Sequence, residues 1–296
     1  MASYGSLNFR EQIAFFLRKV NVPTASWTDL WQADHDSGFM VAGAAKAELL
    51  QDLREAVNKA IRDGTTLEEF RKDFDEIVAR HGWSYTGGRN WRTRIIYETN
   101  LRTSYAAGRY AQLKANTRAF PYWIYKHSHL DKVPRPLHIA HPPEGWNGLV
   151  LRHDDPWWDT HFPPNGWGCT CYVEGVSEHR LRKLGKNGPD EAPAVKTRTV
   201  TVGTKGPSPR TVSVPEGIDP GFGYAPGQTV YQETQRAVQE ILQHELEHDF
   251  QTALAHYLSS IPTAPPAPAL DELEAPAGQI GAAGGAGHKG SKDGGS

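Results

Sequence analysis

The chain has 296 residues, of which 38% are hydrophobic and 22% charged, and a formal net charge of −2. That is enough to bury a real core in one large or two ordinary domains, and the charge balance argues against a dedicated nucleic-acid binder. Its two cysteines fall in a single Cys169-Thr170-Cys171, which excludes a disulfide framework and fits a reducing cytosol. Residues 1–20 mix Arg10, Glu11, Arg18 and Lys19 into the apolar positions, so neither a secretory signal nor a membrane-spanning helix is expected, and no membrane partner.

Residues 8–20 place Phe9, Ile13, Phe16 and Leu17 on one stripe, which predicts a short amphipathic helix. Thr28-Asp29-Leu30-Trp31 follows Pro23 and opens a short turn. Residues 44–63 predict a helix with Leu49, Leu50, Leu53, Val57, Ala60 and Ile61 facing inward and Gly64 as its C-terminal cap. Thr66-Leu67-Glu68-Glu69 reads as a capping box, opening a helix that runs to about Arg80 and closes at His81-Gly82. Gly87-Gly88 then breaks the chain before the longest helix, about residues 90–116. Its expected packed face is Tyr97, Leu101, Tyr105, Gly108 and Ala111, with Glu98 and Arg102 as an i,i+4 pair outside. A glycine at 108 costs about 1 kcal/mol against alanine in mid-helix, which points to close approach of another backbone there.

Beyond Pro121 the texture turns to strands. Tyr122 to His127, Leu149 to Leu151 and Cys171 to Glu174 are aromatic or β-branched and read as short strands. Residues 197–202 and 210–214 alternate on either side of Gly-Pro-Ser-Pro and predict a hairpin with a long loop. A final helix is expected from about Thr229 to Ser259, followed by a tail rich in Pro, Ala and Gly with no packable period. The fold class is therefore α+β: a helical part at 1–117, a β-rich irregular module at 118–228, a C-terminal helix at 229–261 and a disordered tail at 262–296.

The most specialised segment is Asp155 to Cys171, which holds Trp157, Trp158, Trp167 and both cysteines. Its prolines and glycines forbid a regular helix, so its rings must be buried by surrounding elements. Cys169 and Cys171 with His138, His141, His153 and His161 offer zinc-type donors, with His138 and His161 the favoured imidazoles. The tight Cys-x-Cys spacing favours buried thiols beside aromatic rings over a structural zinc, and a nucleophilic cysteine is the weakest reading. Tryptophans at 83, 91, 123, 146, 157, 158 and 167 read as a small core rather than a stacking surface. His244-Glu245-Leu246-Glu247-His248 matches the zinc-protease pattern, but its helix is polar on nearly every side, and a solvated helix is the better reading. Arg180 to Arg210 is locally basic and reads as solvated loop charge, with DNA contact as the rival.

Four separated motifs carry a resemblance. Ile96 to Tyr110, Pro121 to Tyr125, Asp155 to Cys171 and Gly217 to Gly227, supported by Trp27 to Trp31, His35 to Ala42 and Gly64 to Phe70, resemble the phage Mu F-type head morphogenesis family over roughly residues 9–228. The family's usual Cys-Arg-Cys is Cys-Thr-Cys here, and its polar stretch before the histidine is diluted to Leu130 through Leu137, with Arg135, Pro136 and His138 kept. The resemblance implies a minor head protein of a tailed phage or prophage with no catalytic residues and no cofactor. It also implies portal, major capsid or scaffold proteins as partners, and residence in the host cytoplasm during assembly and then in the virion head. The rivals are a metal-dependent hydrolase built on 244–248 and a DNA-associated internal head protein.

Overall fold

The computed structural model describes residues 9–244 except 129, 131–132, 205 and 207–208, together with residues 252 and 259. Residues 1–239 cluster into one compact unit and 240–296 into another. In the second, the described residues are 240–244, 252 and 259, all helical. Glu245 to His248 and the tail from 262 lie outside the described residues.

The first unit opens with α1 (Arg10–Leu17) and β1 (Val20–Asn21), then α2 (Asp34–Ser37) and β2 (Gly38–Phe39), which pairs parallel with β1. Three long helices follow: α3 (Ala47–Asp63), α4 (Leu67–His81) and α5 (Arg89–Ala115). Both expected stops are present, with Gly64 and Gly82 in the left-handed conformation that glycine adopts without strain. The capping box is complete: the Glu69 N–H donates to Thr66 Oγ1, and the Glu69 carboxylate accepts from the Thr66 N–H at 2.8 Å. Leu49, Leu50, Leu53 and Val57 of α3 meet Phe70, Phe74 and Ile77 of α4, Phe16 of α1 and Ile96 of α5 in a helical core.

Two packed faces differ from the expected ones. In α1 the buried residues are Gln12, Phe15 and Phe16, whereas Leu17 is exposed. The helix is docked by a polar anchor, because Gln12 Nε2 donates to Leu101 O and Ser104 Oγ of α5. In α5 the buried set is Thr93, Ile96, Ser104, Ala106, Ala107, Gly108, Tyr110 and Leu113, while Tyr105 is exposed. This helix is covered on several sides, so no single stripe marks its buried residues. The expected close approach at Gly108 is present: a Cβ there would sit 2.7 Å from the Gln12 backbone nitrogen. Arg102 and Glu98 do pair, at 3.2 Å.

The remaining elements build a second core. β3 (Tyr122–Lys126) is the centre of a three-stranded antiparallel sheet between β4 (Val150–Arg152) and β5 (Tyr172–Val176). Side chains alternate across the pleat. Trp123 and Tyr125 enter an aromatic core with Tyr110, Trp146, Trp157, Trp158 and Phe162, and Ile124 faces Val150, Val176 and Leu181 on the other side. Leu181 comes from α8 (Glu178–Lys183), capped by the Ser177 side chain. Two one-turn helices, α6 (Pro136–Ile139) and α7 (Trp158–His161), lie in the long connections. The expected hairpin is β6 (Thr197–Val202) with β7 (Arg210–Pro215), and α9 (Gln228–His244) follows. Helix α5 is common to both cores, giving Ile96 to the helical one and Ala106, Tyr110 and Leu113 to the aromatic one.

Candidate metal centre

Pairing of β3 with β5 sets Lys126 opposite Tyr172. One step further along that ladder, His127 Nδ1 lies 3.5 Å from Cys171 Sγ. His138 arrives from α6, whose start is fixed by Pro136 at its first helical position. Its Nδ1 is 3.8 Å from Cys169 Sγ and 3.6 Å from Cys171 Sγ. The donor atoms of His138, Cys169 and Cys171 all lie within 4.8 Å of one another, and all three residues are buried.

The surroundings fix how these groups are presented. His138 Nε2 lies 2.9 Å from the Gly217 carbonyl. A carbonyl can only accept, so Nε2 carries the proton and Nδ1 turns its lone pair to the sulfurs. The His138 ring stacks on Trp146 with centroids 4.9 Å apart. Tyr125 Oη donates to Asn165 Oδ1 at 2.9 Å, holding the fully buried asparagine beside the loop. Hydrogen bonding from Cys171, joined by His138 and the Asn165 backbone, keeps the Cys169 thiol well below its ordinary pKa against the upward push of burial. An ion pair from Arg135 to Asp219 braces the rim, and Asp219 also accepts from the Trp167 N–H at 2.9 Å.

The other expected donors go elsewhere. His161 stacks on Trp157 at 4.2 Å, with Nδ1 2.7 Å from Thr160 Oγ1; neither it nor His127 is among the three grouped donors, but His127 touches one of them, Cys171. His153 rests near Trp123, and the His141 carbonyl accepts from the Gly145 N–H. Trp123, Trp146, Trp157 and Trp158 are core residues as expected, whereas Trp91 and Trp167 are exposed. In the basic stretch, Arg180 and Lys186 pair with Glu174 and Asp190, and Arg198 and Arg210 donate to the carbonyls of Ile218 and Thr28. His127 was not singled out by sequence. Its signal was there: two predicted strands, ending at His127 and beginning at Cys171, meet at those positions if they pair antiparallel.

Residues 51–174 match the family described as phage Mu protein F like protein. That region belongs to the Mu F-like family. His127, His138, Cys169 and Cys171 all lie inside it. The chain is 31% identical over 258 residues to "Putative capsid assembly protein F" of Escherichia phage Mu, covering 79% of this chain and 57% of that protein. It is 36% identical over 172 residues to the "Mu-like prophage FluMu F protein" of Haemophilus influenzae, covering 55% of this chain and 40% of that one. The chain thus spans about half the length of the curated relatives it matches. No solved structure matches it.

Proposed function

We propose that this chain acts in phage head assembly, as a minor head protein that docks at the portal of the growing procapsid. The observation that carries this reading is the 31% identity over 258 residues to the Mu protein named for capsid assembly. In this reading the helical part, residues 1–117, contacts the portal and neighbouring head proteins, and residues 118–228 form the Mu F-like module. The protein works in the host cytoplasm and enters the virion head. A groove of about 550 Å³ lined by Trp27, Leu30, Met40, Trp91, Trp167 and Phe222 supports a docking role, because exposed tryptophans beside an apolar cleft suit protein partners.

The test is affinity capture of the tagged full-length chain from cells assembling these heads, with the bound proteins identified by mass spectrometry. Portal protein, with or without major capsid protein, is expected. Recovery of neither overturns the proposal. Trp91→Ala should reduce that recovery without lowering thermal stability, since Trp91 is 57% exposed.

A further inference from the structure

Zinc binds thiolate at about 2.3 Å and imidazole at about 2.0–2.1 Å, so a tetrahedron around it sets sulfur about 3.8 Å from sulfur and about 3.6 Å from nitrogen. The sulfur–nitrogen distances here are 3.8, 3.6 and 3.5 Å, and Cys169 and Cys171 Sγ fall within 4.8 Å of each other. Hydrogen bonding alone does not call for this convergence, because a thiol is a weak donor and two thiols sharing one imidazole nitrogen gain little. Metal ligation does call for it. The Nε2–H of His138 is committed to the Gly217 carbonyl, the outer bond that orients a ligating histidine and raises its basicity.

We infer that His138, Cys169 and Cys171, the three donors that converge, hold a borderline-soft divalent cation of the zinc class, and that His127, which reaches Cys171 Sγ at 3.5 Å but lies outside that group of three, moves in as the fourth ligand to close a tetrahedral site. Two neutral imidazoles and two thiolates are its ligands. Both sulfurs bind as thiolates, any proton they still carry going to solvent, so the dication meets two thiolate charges and the filled site is neutral. A neutral site suits its dry position: His127 is 8% exposed, His138 0%, Cys169 1% and Cys171 8%. With four protein ligands no position is left for a substrate water, so the role is structural. The ion would cross-link the end of β3, helix α6 and the start of β5, and through Gly217 the turn after β7. Those pieces lie far apart in the chain, at 127, 138, 169–171 and 217. This inference does not depend on the head-assembly reading.

The test uses the full-length chain, purified without chelator under a phosphine reductant. Mass spectrometric metal analysis should find about one zinc per chain. Titration of the demetallated protein with Co²⁺ should give the intense visible bands of a tetrahedral cobalt thiolate. Zinc below about a tenth of an equivalent, before and after reconstitution, overturns the site. Weak octahedral cobalt absorption does the same. Among variants, His127→Ala should weaken zinc binding at least about tenfold, while His161→Asn should leave it unchanged. Equal affinity of His127→Ala and the parent would overturn the assignment of the fourth ligand. Loss of zinc in His161→Asn with the cobalt spectrum altered would transfer that role to His161.

Discussion

Gly166 lies directly under a paired arginine and aspartate. A Cβ there would overlap the Arg135 guanidinium and the Asp219 carboxylate, two groups paired with each other and about a quarter exposed. Both groups are the ends of flexible side chains, so Gly166→Ala displaces their ion pair rather than the loop and should cost about 1 kcal/mol. Chemical denaturation measures this, and a change below about 0.5 kcal/mol would show that the rim yields freely. His161 makes a second prediction at this scale. Desolvation holds its imidazole at about 4 instead of 6.5, with the Trp157 carbonyl opposing. The folded state therefore favours neutral His161. Its stabilisation is complete above pH 6.5 and is lost as pH falls through about 4. By pH 5 the loss reaches about 2 kcal/mol. Replacing it with phenylalanine keeps the ring on Trp157 and removes the titration, so the H161F variant should lose less stability between pH 7 and pH 5. Parallel losses in the two proteins would contradict the assignment.

Helix α5 shows how an element can be read correctly in extent and wrongly in orientation. Its boundaries follow from Gly88 and the good helix formers after it, but its buried side cannot be seen in its periodicity. Ser104, Ala106, Ala107 and Gly108 are small because α1 crosses at one side and Gly227 touches Ala107 at another, where a Cβ on Gly227 would lie 2.8 Å from the Ala107 Cα. Gly108→Ala sets two effects against each other. Helix propensity gains about 1 kcal/mol, yet the new methyl meets the Gln12 backbone nitrogen at 2.7 Å and the Phe9 ring at 2.9 Å. A backbone within a packed helix cannot step aside, so the overlap wins and the variant should be less stable. Faster hydrogen exchange confined to α1 would identify the cause, whereas a stabilised variant would refute the argument. For α4 the expectation is simpler. Thr66→Ala removes the side-chain acceptor of the Glu69 N–H and should cost about 1 kcal/mol in thermal or chemical melts.

Across the whole molecule, two segments far apart in sequence are joined by a buried carboxylate. Asp36 accepts the Gly227 N–H on both oxygens at 3.0 Å, and Lys19 Nζ bonds the neighbouring His35 carbonyl. Desolvation pushes Asp36 up to about 6, against the pull of the Gly227 amide and of Lys19. Lys19 itself is brought down to about 8, mainly by burial. The sign for Asp36 is opposite to that for His161. The fold favours the protonated acid, so its contribution is complete below 3.8 and is lost as pH rises through about 6. Acidification between pH 6.5 and pH 4 thus lets Asp36 offset part of what His161 loses. His35, held at about 4 chiefly by burial, adds to the loss. Asp36→Asn removes the offset, and its stability should fall more steeply with acid than that of the parent. An unchanged slope would mean that Asp36 titrates like an exposed carboxylate.

The amphipathic period of α3, the capping box and glycine stops of α3 and α4, the strand runs and the hairpin were determined by sequence alone, because each is set by contacts within a few residues. The concentration of rings and thiols in 155–171 was visible for the same reason, as was the close approach at Gly108. What the tertiary structure decided were pairings over long separations. Which side of α5 is buried depends on α1 and Gly227, where Gln12 meets Gly108 and Gly227 meets Ala107 across long stretches of chain. That His127 rather than His161 stands beside Cys171 depends on the register of β3 against β5. His161 sits closer to the cysteines in sequence, but one turn of α7 and the stacking surface of Trp157 turn its ring to a different set of partners. Local chemistry fixes which residues can be ligands, and only strand register and ring packing fix which of them meet.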